Sequence, residues 1–124
     1  MQHIDPDLAP GRLRRLLLSR RRQQASAIIQ LRIGHAPLNK HLHRIDASDT
    51  DKCPACRTRP ETARHYIMRC PGYELERKEM FARAGRGRHR MKELLSTKDG
   101  IAQLLRYIDR TGRLRTVHGA GLAR

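Results

Sequence analysis

Aromatic side chains are scarce here: no tryptophan, one phenylalanine and three tyrosines stand among 124 residues, at Tyr66, Tyr73, Phe81 and Tyr107. A chain so short of large rings has a thin core and few flat surfaces for a nucleobase to stack on. Long apolar runs and lipidation signals are missing too, so neither a membrane span nor a lipid anchor is expected. Acidic residues are outnumbered, 12 against 27 Lys plus Arg. Asp5, Asp7, Asp46, Asp49, Asp51, Asp99 and Asp109 fall mostly in stretches that read as loops or caps, whereas metal-assisted phosphoryl chemistry needs carboxylates that converge. A nuclease assembled from Pro6-Asp7 and Glu76-Arg77-Lys78 would need a different spacing and a supporting strand. No glycine-rich phosphate loop follows a strand, and no nucleophile adjoins a base, so the chain on its own is not expected to be an enzyme.

Cysteine is present in an odd number, three. Three thiols cannot all pair within one chain, and nothing in the leading residues resembles a secretory signal, so a reducing compartment, nucleus or cytoplasm, is expected. All three fall in Cys53-Pro-Ala-Cys56-Arg-Thr-Arg-Pro-Glu-Thr-Ala-Arg-His65-Tyr-Ile-Met-Arg-Cys70, spaced C-x2-C-x8-H-x4-C. Zinc takes four soft or borderline donors in a tetrahedron, and Cys53, Cys56, His65 and Cys70 supply three thiolates and one imidazole, which predicts one structural Zn2+ with no position open for water. Pro54 stiffens the first pair. Thr58 to Glu61 has the spacing of a capping box and Pro60 suits a first helical turn, so a short helix carrying His65 is expected to begin there. At 3.6 residues per turn Cys70 would point about 140° from His65, but Pro71 disfavours helical geometry at residue 70 and lets it swing back. Lys52, Arg57, Arg59, Arg64 and Arg69 surround the motif, and their charge is expected to lower thiol pKa values and offset the net negative charge of the centre. For a thinly cored chain such a site acts as a staple, because metal binding energy becomes folding energy.

The formal net charge is +15. An excess of that size points to a polyanionic partner, RNA or DNA before an anionic membrane. Residues 1–11, with two prolines and a glycine, read as a flexible leading segment, residues 12–112 as a helical domain and 113–124 as a loose basic tail. Within the domain, residues 12–33 read as helical, with Ser19 positioned to start a second helix and Gly34 to end it. Arg20, Arg21 and Arg22 at a helix front oppose its dipole, a pattern that an outside anion would compensate and that a solvated charged face would also produce. Leu38, Leu42 and Ile45 mark a short helix opened by Pro37, while His35, His41 and His43 lack cysteine or carboxylate company and read as exposed or phosphate-contacting. A helix is expected from Tyr73 to Ala84, followed by the cationic linker Gly85-Arg-Gly-Arg-His-Arg90. Met91, Leu94 and Leu95 begin another. Ile101, Leu104, Leu105 and Ile108 form the cleanest amphipathic pattern, which Gly112 ends.

Several runs resemble one family. Residues Leu31-Arg-Ile-Gly-His-Ala-Pro-Leu-Asn39, Leu42-His-Arg-Ile45, Cys53-Pro-x-Cys56, Glu61-Thr-x-x-His65, Cys70-Pro-x-Tyr73 and Leu104-Leu-Arg-Tyr-Ile-Asp-x-Thr-Gly-Arg-Leu114 are similar to the segment that follows the reverse transcriptase and ribonuclease H regions of non-LTR (LINE-type) retrotransposon polyproteins, fungal ones in particular. The resemblance implies a CCHC zinc-knuckle tail that contacts element RNA or target DNA during integration. The polymerase's paired-aspartate motif is absent, so the chain looks like a severed C-terminal piece, and polymerase activity would belong to the missing part.

The combined expectation is an all-α, small irregular helical domain organised around one Cys3His zinc knuckle. Arg20, Arg21, Arg22, Arg32, Arg64, Arg69, Arg86, Arg88, Arg90 and Lys92 are the expected phosphate contacts, with Tyr66 or Tyr73 stacking on a base. The competing reading is a structural or protein-interaction piece that packs on reverse transcriptase or ribonuclease H regions through apolar faces at residues 13–18 and 101–108.

Overall fold

The strongest periodic stretch of the sequence becomes the axis of the fold. In the computed structural model, which describes residues 10–85 and 90–114, helix α6 runs Lys98–Thr111 with Ile101, Leu104, Leu105 and Ile108 all fully buried. Each such side chain contributes about 1.5–3 kcal/mol of burial. The 101–108 face is thus the centre of the core and not a docking surface, a correction to the competing reading. It packs against α4 (Glu74–Ala84) through Met80 and Ala84, and against α5 (Met91–Ser96) through Leu94 and Leu95.

The junction of α5 and α6 is tight for a local reason. Thr97 donates its hydroxyl to the Glu93 carbonyl at 2.7 Å and accepts the Gly100 N–H at 3.0 Å, capping α6. A Cβ on Gly100 would sit 2.4 Å from the Glu93 oxygen, so only glycine permits the approach. Gly112, at φ 67, ends α6 in the left-handed conformation as the sequence predicts.

Ahead of this unit stand α1 (Pro10–Leu17), α2 (Arg22–Ile33) and α3 (Asn39–Arg44). Ala27, Ile28 and Leu31 of α2 and Leu17 of α1 enter the same core. Gly34 closes α2 at φ 77. Ser19 does not open it: α2 begins at Arg22, and the Gln24 side-chain oxygen accepts the Arg21 N–H at 3.3 Å in place of a hydroxyl cap. Arg32, expected on phosphate, is only 8% exposed and donates to the Leu95 carbonyl at 2.9 Å, joining α2 to α5. A single antiparallel bridge, Lys52 with Pro60, is the only β pairing among the described residues, and no described helix is long and apolar enough to cross a membrane.

Two boundaries differ from expectation. Pro10 and Gly11 belong to α1, and Arg113 and Leu114 are packed onto the domain, Leu114 completely buried. The rest of the leading segment, the remainder of the basic tail, and residues 86–89 of the cationic linker with Arg86 and Arg88 lie outside the described residues.

Candidate metal centre

Residues 51–61 form a narrow hairpin with a knuckle at its tip. The Cys53 N–H donates to the Arg59 carbonyl at 2.8 Å, the Arg57 N–H to the Cys53 carbonyl at 2.8 Å, and the Glu61 N–H to the Asp51 carbonyl at 2.7 Å. Pro60 is thereby held in an antiparallel bridge with Lys52, and the expected capping box does not form. Thr58 instead turns its hydroxyl onto the Cys56 sulfur at 3.4 Å.

The helical turn that carries the second pair is capped four residues later than expected, by Thr62, whose hydroxyl accepts the His65 N–H at 3.0 Å. From His65 to Arg69 it is wound as a π-helix, and the Cys70 N–H reaches the His65 carbonyl at 2.8 Å. An i→i+5 turn stacks residues five apart as an α-turn stacks residues four apart. This winding, with Cys70 extended at φ −65 and ψ 121 before Pro71, brings His65 and Cys70 to one side.

The four predicted ligands converge: Cys53, Cys56, His65 and Cys70 each offer a donor atom, and these atoms all lie within 4.8 Å of one another. Cys53 Sγ is 3.6 Å from Cys70 Sγ, and Cys56 Sγ is 3.4 Å from His65 Nε2. A tetrahedron with metal–sulfur bonds of about 2.3 Å and metal–nitrogen bonds of about 2.0 Å has edges of about 3.8 and 3.5 Å. The donor set and these separations fit a four-coordinate metal ion. Cys53 and Cys70 are fully buried, His65 is buried, and Cys56 is the most accessible member.

The thiols differ in acidity, for reasons other than the surrounding arginines. The Thr58 hydroxyl, aided by the Thr58 and Arg59 amides, holds Cys56 down at about 6. Burial pushes Cys70 up to about 12. A bound cation reverses that second preference, because a coordinating thiol is deprotonated outright.

Three supports went unnoticed in the sequence. Arg77, 9% exposed on α4, donates Nε to the Ile67 carbonyl at 3.0 Å and Nη2 to the Cys70 carbonyl at 2.5 Å, while Tyr107 on α6 donates to the Tyr66 carbonyl at 2.5 Å. Together they bind the Tyr66 and Ile67 carbonyls of the wide turn and add a bond to the Cys70 carbonyl, which also accepts the Tyr73 N–H at 3.3 Å. Glu61, wholly buried, accepts two bonds from Arg113, each 2.6 Å, and the Asn39 N–H at 2.7 Å. Arg113 also donates to Asn39 Oδ1 at 3.1 Å, so the end of the domain clasps the base of the hairpin. Gly72 is the third: a Cβ there would stand 2.7 Å from Ala55 Cβ, so its bareness lets the chain after Cys70 run against the knuckle. Only the glycine after Cys70-Pro71 was visible as a signal; the partners of Arg77 and Arg113 lie on other elements.

The remaining predicted contacts divide. Arg21, Arg22, Arg64, Arg69, Arg90 and Lys92 are exposed and Arg20 is half-buried, whereas Arg32 is inside. Base stacking on Tyr66, one of the two expected positions, is not available. Tyr66 is completely buried, with its ring 5.3 Å from Tyr107 and edge-on to a half-buried Tyr73 at 5.5 Å. His35 stacks on His41 at 4.9 Å, away from the metal ligands. Compared with known proteins, the chain matches no family model, no curated protein and no solved structure.

Proposed function

We propose that this chain is a zinc-stabilised, basic nucleic-acid-binding module that contacts RNA or DNA without catalysing a reaction on it. The observation that carries the reading is the convergence of Cys53, Cys56, His65 and Cys70 in a chain of net charge +15. Three thiolates and an imidazole favour zinc over the oxygen-seeking cations, and a closed donor set favours a structural role. The charge favours a phosphate backbone. The resemblance of residues 31–45, 53–73 and 104–114 to the tail of LINE-type retrotransposon polyproteins supports the same partner. The competing protein-interaction reading loses the buried 101–108 face and most of the 13–18 face, where Leu17 is buried, Leu13 and Leu16 pack against the core and Leu18 is exposed.

Two measurements test this. Protein purified without chelator should contain one zinc per chain, lost in Cys56→Ser. Oligonucleotide binding should weaken steeply with salt, with log affinity falling by about 0.9 per neutralised phosphate for each tenfold rise in salt on duplex DNA. A metal-free protein, or one that binds no oligonucleotide at low salt, refutes the proposal.

A further inference from the structure

Arg57, next to the second cysteine, is held at φ 62. L-residues rarely adopt this left-handed conformation, and it favours glycine, or asparagine and aspartate, which bond locally. Among the described residues the other non-glycine of this kind is Asp46, a type that tolerates it. The geometry at 57 has a local purpose, since it follows Cys56 and turns the Thr58 and Arg59 amides toward the sulfur. That purpose requires the backbone, not a guanidinium; glycine would fulfil it with less strain.

Charge of one sign also gathers around Arg57. On α4 and α6 several cations are paired: Lys78 with Glu74 at 3.5 Å, Arg83 with Glu79 at 3.6 Å, and Arg110 with Glu79. On the metal lobe Arg57, Arg59, Arg64 and Arg69 are all exposed, and none has an ion-pair partner among the described residues. The nearest buried acid, Glu61, is taken up by Arg113. Arg57 adjoins Cys56, Arg64 precedes His65 and Arg69 precedes Cys70, so when the ligands draw together their basic neighbours are gathered on one lobe. The wide turn puts Arg64 and Arg69, five apart, on one side of it.

We infer that the outer face of the metal lobe is a phosphate clamp, in which Arg57, kept in a left-handed backbone for the sake of its guanidinium, acts with Arg59, Arg64 and Arg69 on the backbone of a nucleic acid. The inference rests on the nucleic-acid reading above and adds to it the lobe that does the gripping and its dependence on the bound metal. It places Arg57 and Arg59, which sequence reasoning assigned only to tuning the thiols, among the binding residues. With Tyr66 and Tyr107 buried and arginines on its outer face, the clamp grips phosphates and does not read bases.

The test compares wild type, Arg57→Gly and Arg57→Lys, each zinc-loaded, on a fluorescent 20-base-pair DNA across a salt series. Zinc content and thermal midpoint are measured alongside. Arg57→Gly should keep its zinc with a midpoint no lower than that of wild type, bind about tenfold more weakly, and show a log–log salt slope shallower by about 1, as expected when one phosphate is no longer neutralised. Arg57→Lys should recover most of the affinity. A glycine variant that binds like wild type, or that loses zinc, overturns the clamp while leaving the broader reading intact. A wild type that binds no duplex overturns both. Vesicles containing phosphatidylserine are the control: binding to them as tight as to DNA, and equally sensitive to Arg57→Gly, overturns the assignment to nucleic acid.

Discussion

Removal of the Arg113 side chain should damage the domain far more than its place near the end of the described residues implies. Glu61 is completely buried, and two of its three short hydrogen bonds come from Arg113, whose side chain is 16% exposed. Burial works against the Arg113 charge, yet its bonds to Glu61 raise its pKa. In Arg113→Ala the buried carboxylate would keep one of its three donors, the Asn39 N–H. Leaving a buried charge uncompensated costs about 3–5 kcal/mol, a large part of the about 5–15 kcal/mol that holds a domain of this kind together. In urea, at an m-value of about 2 kcal/mol/M, the midpoint of the zinc-saturated protein should fall by about 2 M with m unchanged. Arg113→Met/Glu61→Gln should recover at least about 1 kcal/mol relative to the sum of its single variants, because the second change removes the stranded charge. Arg83→Ala, at an exposed pair with Glu79, is the control and should cost less than about 1 kcal/mol. If Arg113→Ala costs no more than that control, the clasp is a surface contact and the reasoning fails.

Other consequences follow from the site's surroundings. Cys70 holds its proton at neutral pH, with a pKa of about 12, and must lose it to bind a metal, so zinc affinity should rise from pH 6 to 8 with net proton release detectable in a weakly buffered dye titration; a flat profile refutes this. Sign follows from the same number: raised in the folded metal-free chain, it contributes stability below the unfolded value of 9 that is lost as pH climbs toward 12. Gly72→Ala should weaken cobalt binding, read by its thiolate absorption, and Ala55→Gly in the same chain should restore it; no restoration would mean that the close approach of residues 55 and 72 is not the cause. Arg77→Met should lower metal affinity by about 10–100-fold, as changes to groups that orient ligands do, and unchanged cobalt titration would show the carbonyl bonds to be idle. Arg32→Met should lower the thermal midpoint while leaving duplex affinity within about twofold, since the guanidinium is spent on Leu95; a large drop in DNA binding would restore it to the contact surface.

What could be read from residues alone was whatever depends on short spacing. The ligand set, the buried stripe of α6 and the glycines that end α2 and α6 are local patterns, and each appears as expected. The misses share a different cause. Arg32, Arg77 and Arg113 look like further members of a solvated basic surface, because their acceptors lie on elements that approach only in the folded chain. Thr58 and Glu61 have the spacing of a cap, but the pairing of residues 51–53 with 59–61 competes for the same backbone and prevails. Winding was hidden too: nothing in His65-Tyr-Ile-Met-Arg-Cys70 distinguishes a wide turn from an ordinary one until Arg77 and Tyr107 occupy its carbonyls.

The wide turn also decides which length changes this segment survives. Deleting one residue between His65 and Cys70 would leave them four apart, and rewinding to the ordinary helical pitch would face both inward again. Inserting one has no comparable remedy, since no regular helix closes its bonds six residues on. Tolerance of indels in this part of the chain therefore runs in one direction only, toward shorter.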